Sequence, residues 1–241
     1  TIGTGLSPAQ LITDVLVGQG VSVSNITFNG VPSPGTFQPG AGTFESQLAN
    51  FPIPDGIVLS SGLVTEIPNN SNLLVGGILG TGSDPDLLSI IAETNPFFPE
   101  SNDRTVIEFD FVPTGDSLKF KYIFASEEYP DFNCLPIYND VFGFFLSGPG
   151  ITGPYSNNSA NIALVPGTNQ PVSIATIHGP EGGAGCPAVN GQYYIHNEGS
   201  PNLVFGGYTT VLTAEAAVVC GETYHIKLAI CDAGDSGYDS A

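Results

Sequence analysis

The 241-residue sequence has no methionine and no tryptophan, and only four lysines and arginines. Each shortage removes a class of function. Four basic residues against 23 acidic ones give a net charge of −19. With no basic patch to neutralise phosphates, nucleic-acid binding is excluded. A surface of that sign repels anionic lipid headgroups and attracts cations. No run approaches the roughly 20 apolar residues of a membrane helix, so no membrane insertion is expected. The missing initiator methionine leads us to expect a processed or excised segment, its signal peptide already removed. Four cysteines, none in a CxxC pattern, suit an oxidising compartment with one or two disulfides. Together these features point outside the cytoplasm.

What is present argues for a folded β protein. Hydrophobic residues make up 41% of the chain, including 15 Phe and 9 Tyr, which is too many for a disordered acidic segment. The 31 glycines and 20 prolines suit short strands joined by tight turns. Ser7-Pro8 predicts a helix start, with Leu11, Ile12, Val15 and Leu16 on one face and Gly18 as the stop. Asp84-Pro85 caps a second short helix whose Leu87, Leu88, Ile90 and Ile91 read as core packing. Residues 66–83 read as a long surface loop. Alternation over Val21–Phe28 predicts a strand whose apolar face switches midway, as at a bulge. Further strands are expected over 56–61, 141–147, 161–165, 172–177, 192–195, 208–219 and 224–231, the last two joined as a hairpin through Cys220-Gly221-Glu222. Thr105–Ala125 reads as the clearest hairpin, turning at Pro113-Thr114-Gly115-Asp116. That register sets Asp110 opposite Lys119 and Glu108 opposite Lys121, each pair worth ~0.2–1 kcal/mol. About ten strands and two short helices predict a single-domain, mainly β antiparallel β-sandwich or jelly roll.

The chain is organised around SEEYPDFNCLPIYNDVFGFFL, from Ser126 to Leu146. It reads as strand, acidic loop, strand. Glu127, Glu128, Asp131, Asn139 and Asp140 supply oxygen donors within fourteen residues, and Asp232, Asp235 and Asp239 add three carboxylates near the end of the chain. Hard divalent cations take six to eight oxygen ligands, so these eight residues form a candidate Ca²⁺ site. No base lies between Lys121 and Lys227 to neutralise them. The spacing is not that of an EF-hand. The bland alternative is a set of solvated loop charges, which mutual repulsion disfavours. A second alternative is a glycan hydrolase using Glu127 or Glu128 with Asp140 or Asp232.

Other constellations are weaker. His178, His196 and His225 lack metal spacing, no serine sits in GxSxG, and His225 reads as a strand histidine. Gly182-Gly183-Ala184-Gly185 reads as a flexible turn, since no strand and helix flank it as a phosphate loop requires. Cys220 and Cys231 near opposite ends of one strand lie too far apart to bond, which makes Cys134–Cys186 the first choice of disulfide.

The stretches FDFVPTGDSLKFKYIFASEEYPDFNC, YNDVFGFFLSGPGI, NIALVPGTNQPVSI and CGETYHIKLAICDAGDSGYDSA resemble the choice-of-anchor L domain family. The opening, with VSVSNITFNG and GIVLSSG, is similar too, so the resemblance covers essentially the whole chain. It implies a module of large secreted or surface adhesin-type proteins, chiefly of Bacteroidetes, exported by type IX secretion. Cys231 departs from the family's usual small residue. The resemblance further implies an apolar strand beyond Asp-Ser-Ala, so residues 1–241 are expected to lack a final strand and to leave a sheet edge open. A neighbouring subunit or downstream segment would then complete that edge. The expectation for function is a non-enzymatic, calcium-binding surface or fibre module meeting glycans, surface proteins or neighbouring subunits. A filament subunit completed by strand donation is the structural alternative.

Overall fold

The computed structural model describes residues 1–18, 20–46, 51–68, 77–97, 99–182, 185–200 and 202–241. The expected loop over 66–83 and the glycine turn at 182–185 therefore lie partly outside the described residues. Fourteen strands are described: β1 (Ile2–Gly3), β2 (Ser22–Phe28), β3 (Val31–Pro32), β4 (Ala41–Glu45), β5 (Asp55–Leu59), β6 (Ser101–Val112), β7 (Ser117–Tyr122), β8 (Ala125–Ser126), β9 (Val141–Ser147), β10 (Ala160–Asn161), β11 (Tyr194–His196), β12 (Gly207–Thr209), β13 (Leu212–Ala217) and β14 (Tyr224–Ala233). They form mostly antiparallel sheets, consistent with a β-sandwich.

The largest sheet has the order β10-β9-β14-β6-β2-β3, and the others are β1-β4-β5, β11-β12-β8 and β13-β7. β7 runs almost directly into β8, and β12 into β13. Residues 117–126 therefore lie along residues 207–217 as one antiparallel ribbon, with Tyr208 opposite Ala125 and Leu212 opposite Tyr122. The inner face of the six-stranded sheet packs Phe109, Phe111, Ile226 and Leu228 toward Ile57, Leu59, Leu118 and Phe120 of the smaller sheets. Its other face is covered by helix α2 (Pro85–Thr94), whose Leu87, Ile90 and Ile91 meet Val106, Phe145 and Ala229. That burial is the core packing expected of the helix.

The two helix starts form for the reasons the sequence suggests. Ser7 and Gln10 close a reciprocal capping box at the head of α1 (Pro8–Gln10), and Asp84 accepts from the Asp86 and Leu87 amides. Beyond α1 the chain widens into a π turn over Leu11–Leu16, which buries Leu11 and Ile12 but leaves Val15 exposed. The expected bulge in β2 is present: its register with β6 shifts between Ser24 and Thr27, with Asn25 at φ 53°.

The expected hairpin over 105–125 is a correction. Both strands exist, but β6 pairs with β14 and β2 while β7 pairs with β13. Lys119 accordingly faces Glu215 and bonds it at 2.9 Å, and Lys121 faces Thr213. His225 and Lys227 take the positions opposite Asp110 and Glu108. The β13–β14 hairpin through Cys220 is likewise not formed, because the two strands enter different sheets. Residues 172–177 make only isolated bridges, and 161–165 pairs as a ladder only at its first residue.

Candidate functional site

One end of the six-stranded sheet collects the acidic residues. β14 lies between β9 and β6, with Cys231 opposite Val141 and Asp232 opposite Asn102. One further step along these antiparallel ladders brings Asp232 beside Asp140 on one neighbour and near Asp103 on the other. Two loops close over this end. Residues 127–140 carry Glu128 and contain a cis Tyr129–Pro130 bond, and residues 234–240 carry Asp239. The Glu127 amide donates to the Asp239 carbonyl at 3.1 Å, joining the loops through their backbones.

Of the eight expected ligands, the structure brings four carboxylates together in the interior. Asp140 and Asp232 are fully buried, and Glu128 and Asp239 nearly so, at 1% and 3% exposure. Asp140 is the structural hub: it accepts from the Ala233 amide at 2.9 Å and from the Ser240 hydroxyl at 2.7 Å. Among the described residues neither carboxylate oxygen of Glu128 or Asp232 has a hydrogen-bond partner, and one oxygen of Asp239 has none. Asp239 Oδ2 accepts from the Gly77 amide, and a Cβ at Gly62 would overlap this carboxylate, so glycine is required there.

The remaining four contribute less. Asp235 and Glu127 are half-buried, and their charges act on Glu128. Asn139 is buried, but its side-chain oxygen is engaged by the Ala175 amide at 2.9 Å. Asp131 is exposed, so the structure does not bring it into the buried group.

Two residues that were not expected join the site. Asp103 is buried, with Oδ1 accepting from the Gly80 amide at 2.6 Å and Oδ2 without a partner among the described residues. Alternation back from Phe111, Phe109 and Ile107 does not mark it, because the register of β6 with β14 shifts between Thr105 and Asn102, with Asp103 at φ 50°. Asn133 is buried, and neither of its amide atoms has a partner among the described residues. Nothing in its spacing marks it, since its burial depends on how the loop folds back.

This group is electrostatically costly in the absence of a cation. Burial pushes Glu128 up to about 9, and the charges of Asp235, Asp232 and Glu127 add to the rise. Burial likewise pushes Asp232 up to about 10, with Asp140 the chief charge acting on it. The Ser61 hydroxyl, the one neighbour that would lower Asp232, is directed in the structure to the Ser240 carbonyl at 3.4 Å. Asp140 is raised well above the carboxylate range, first by burial and then by Glu128, and burial raises Asp239 to about 6. Among the described residues no Lys or Arg forms an ion pair with any of the four. The chemistry of the set, anionic and amide oxygens without sulfur or imidazole, fits a hard divalent cation.

A competing cluster fails on chemistry. Among the described residues, ligand atoms of Cys134, His178 and Cys186 lie within 4.8 Å of one another. Both sulfurs are joined in the disulfide, with Cα atoms 5.8 Å apart, so neither has a thiolate to give. The expected Cys134–Cys186 bond is thus present, with Cys220 and Cys231 free. Among the described residues the acidic side chains make no comparably tight group.

The opposite end of β14 holds a second polar group, on the face that α2 covers. Lys227, 7% exposed, donates to Asp84 at 2.9 Å and to Asp86, with its ammonium 4.8 Å from the centre of the Phe145 ring. Burial works to raise Asp86, but Lys227 and Ser156 outweigh it and hold the carboxyl below its usual range. His225 bridges Asp110 at 2.7 Å and Glu108 at 3.1 Å, and the Glu108 bond is the main cause of its raised pKa. The cations are consumed by neighbouring carboxylates, so this group satisfies itself and reads as a fastening between α2 and the sheet.

No curated protein and no solved structure matches the chain. The model of the choice-of-anchor L domain family matches residues 1–241. No helix among the described residues is long and apolar enough to cross a membrane. The whole of the sequence is covered by that match, and the chain belongs to the choice-of-anchor L domain family, a module of secreted or surface-associated proteins.

Proposed function

We propose that the chain is a calcium-binding, non-enzymatic module of an extracellular adhesin or surface fibre. The observation that carries this reading is the pair Glu128 and Asp232: two buried carboxylates whose four oxygens have no hydrogen-bond partner among the described residues. A buried unpaired charge costs several kcal/mol unless it is neutralised by a proton or by a cation. Glu128, Asp140, Asp232 and Asp239, with Asp103 and Asn133, would hold the ion. Bound there, calcium would neutralise the group and tie the 127–140 loop, the end of β14 and the 234–240 loop into one rigid end, fit to contact a glycan or a surface protein. The burial of Glu128, Asp140 and Asp232 also leaves a sugar no access to them, which disfavours the glycan hydrolase.

The test is thermal melting in calcium and in excess chelator at equal ionic strength. At 100-fold saturation, stabilisation of about 2.7 kcal/mol is expected, which is a rise of roughly 5–11 °C for a chain of this size. The near-isosteric Asp232→Asn should abolish the calcium-dependent rise while the protein stays folded. An identical midpoint with and without calcium would overturn the reading.

A further inference from the structure

Lys227, Asp84 and Asp86 bring one amine and two carboxyl groups into contact away from water. The side chain of Lys227 is 9% exposed, and those of Asp84 and Asp86, at the head of α2, are 7% and 5% exposed. β14 is paired on both edges, with Glu108 opposite Lys227 in β6 and Phe145 opposite it in β9, so the lysine backbone is fixed. Phe145, whose ring centre lies 4.8 Å from the ammonium, belongs to the buried apolar cluster between α2 and the sheet. The ammonium nitrogen is 2.9 and 3.1 Å from the two oxygens of Asp84, so it faces that carboxyl carbon. It meets Asp86 through Oδ2 alone, while Asp86 Oδ1 accepts from the Ser156 amide and hydroxyl, both at 2.8 Å.

Two features separate this contact from an ordinary ion pair. Asp84 Oδ1 also accepts from the Asp86 and Leu87 amides, at 3.0 and 3.2 Å. These donors cap the helix, and they are placed to hold the negative charge that gathers on this oxygen when the carboxyl carbon is attacked. The second feature is burial. Water keeps an amine and an acid charged and unreactive toward each other, whereas a dry site disfavours both charges and brings the neutral pair within reach. Fixed contact between the reacting groups then replaces high concentration. Lys119 and Glu215 also meet at 2.9 Å, but their side chains are 56% and 54% exposed, where water keeps both charged.

We propose that Lys227 and Asp84 condense into an intramolecular amide bond, with Asp86 as the proton carrier. The reaction needs no co-reactant. Asp86 Oδ2 takes one ammonium proton and passes it to Asp84 Oδ2, which leaves a neutral amine facing a carboxylic acid. The nitrogen lone pair forms the C–N bond at Cγ, and the π electrons move to Oδ1, against the two backbone amides. A second nitrogen proton reaches Oδ2 by the same route, the Cγ–Oδ2 bond breaks, and one water leaves as the carbonyl re-forms. Nothing is oxidised or reduced, and the net charge is unchanged. A cavity of about 30 Å³, lined by Asp86, Ser156 and Lys227 among others, has room for that water. In the product the remaining N–H donates to Asp86 Oδ2, Ser156 keeps the other oxygen, and the two amides hold the new carbonyl. The bond closes a span of 143 residues and fixes α2 to the central strand covalently. It is independent of any cation at the other end of β14.

The test is the intact mass of the purified chain after reduction and complete denaturation, which an ion pair does not survive. The expected mass is one water molecule below that of the sequence. Proteolysis should release one branched peptide, and its fragmentation should place the branch between Asp84 and Lys227. Lys227→Arg keeps the charge without the reacting amine and should restore the full mass. Asp86→Ala removes the proton carrier and should slow the reaction about a hundredfold, so the freshly made variant is found mostly at full mass. Full mass in the parent chain would overturn the proposal, whether or not the variants fold. A water loss that persists in Lys227→Arg would overturn it too, since it would come from cyclisation elsewhere, as at Asp55-Gly56. A branch at Asp86 in place of Asp84 would overturn the assigned roles.

Discussion

Asp232 and Lys227 stand five residues apart on one strand and show opposite solutions to a buried charge. Lys227 is met by two carboxylates and an aromatic face, and it holds α2 to the sheet. Asp232 is met by other acids. This difference predicts an unusual pH profile for the metal-free protein. Glu128 and Asp232 retain protons when folded at pH values where the unfolded chain has released them. Stability therefore falls as pH climbs from about 4 toward their folded values. His225 acts in the same direction: its raised pKa contributes stability that is complete below about 6.5 and is lost as pH rises through its folded value. Asp86, Glu108 and Asp110 have lowered values, so their contribution is present above about 4 and is lost as pH falls through the folded values. In chelator the stability maximum should lie between about pH 4 and 6.5, and calcium should move it upward by displacing protons from the acidic group. Denaturant midpoints against pH check this. Metal-free stability that climbs between pH 6 and 9 would contradict it.

At the scale of elements, the alternation of apolar residues marked most of the longer strands, but it missed β4 and also marked 172–177, which forms no ladder. It was silent on partners. β6 and β7 are separated by a four-residue turn and carry charges that look complementary, yet β6 pairs with β14 and β7 with β13, each ninety or more residues further along the chain. The reason is physical: β6 is apolar enough to be central in a sheet flanked on both faces, whereas β7 keeps Lys119 and Lys121 in solvent and belongs to the outer layer. Helix starts were legible because a cap and a proline act within four residues. The Cys134–Cys186 bond was reached by excluding the other pair within one strand. It closes a 52-residue separation and anchors the acidic loop beside the 178–189 bridge. Its reduction should cost up to about 4 kcal/mol and weaken calcium affinity by freeing Asn133 and Glu128 to move. Urea midpoints with and without reductant, repeated on Cys134→Ser/Cys186→Ser, measure this. An unchanged midpoint would mean that packing alone holds the loop.

At the scale of the molecule, a charge of −19 makes self-repulsion a standing cost. In chelator, melting should rise with monovalent salt between 0.01 and 0.5 M, over which the screening length falls from about 30 Å to a few ångströms. The further rise produced by calcium should survive at 0.5 M if the ion sits among buried carboxylates, and should vanish if it merely screens the surface. Composition, strand periodicity, the two caps and the crowding of acids without bases were determined by the sequence alone, since each rests on neighbours within a few residues. The tertiary structure decided which acids are buried together, that Asp103 and Asn133 join them, that Asp131 does not, and that Lys227 is buried against Asp84 and Asp86. Those outcomes depend on long-range strand pairing, where many registers satisfy the same local pattern and only packing of the complete core selects among them.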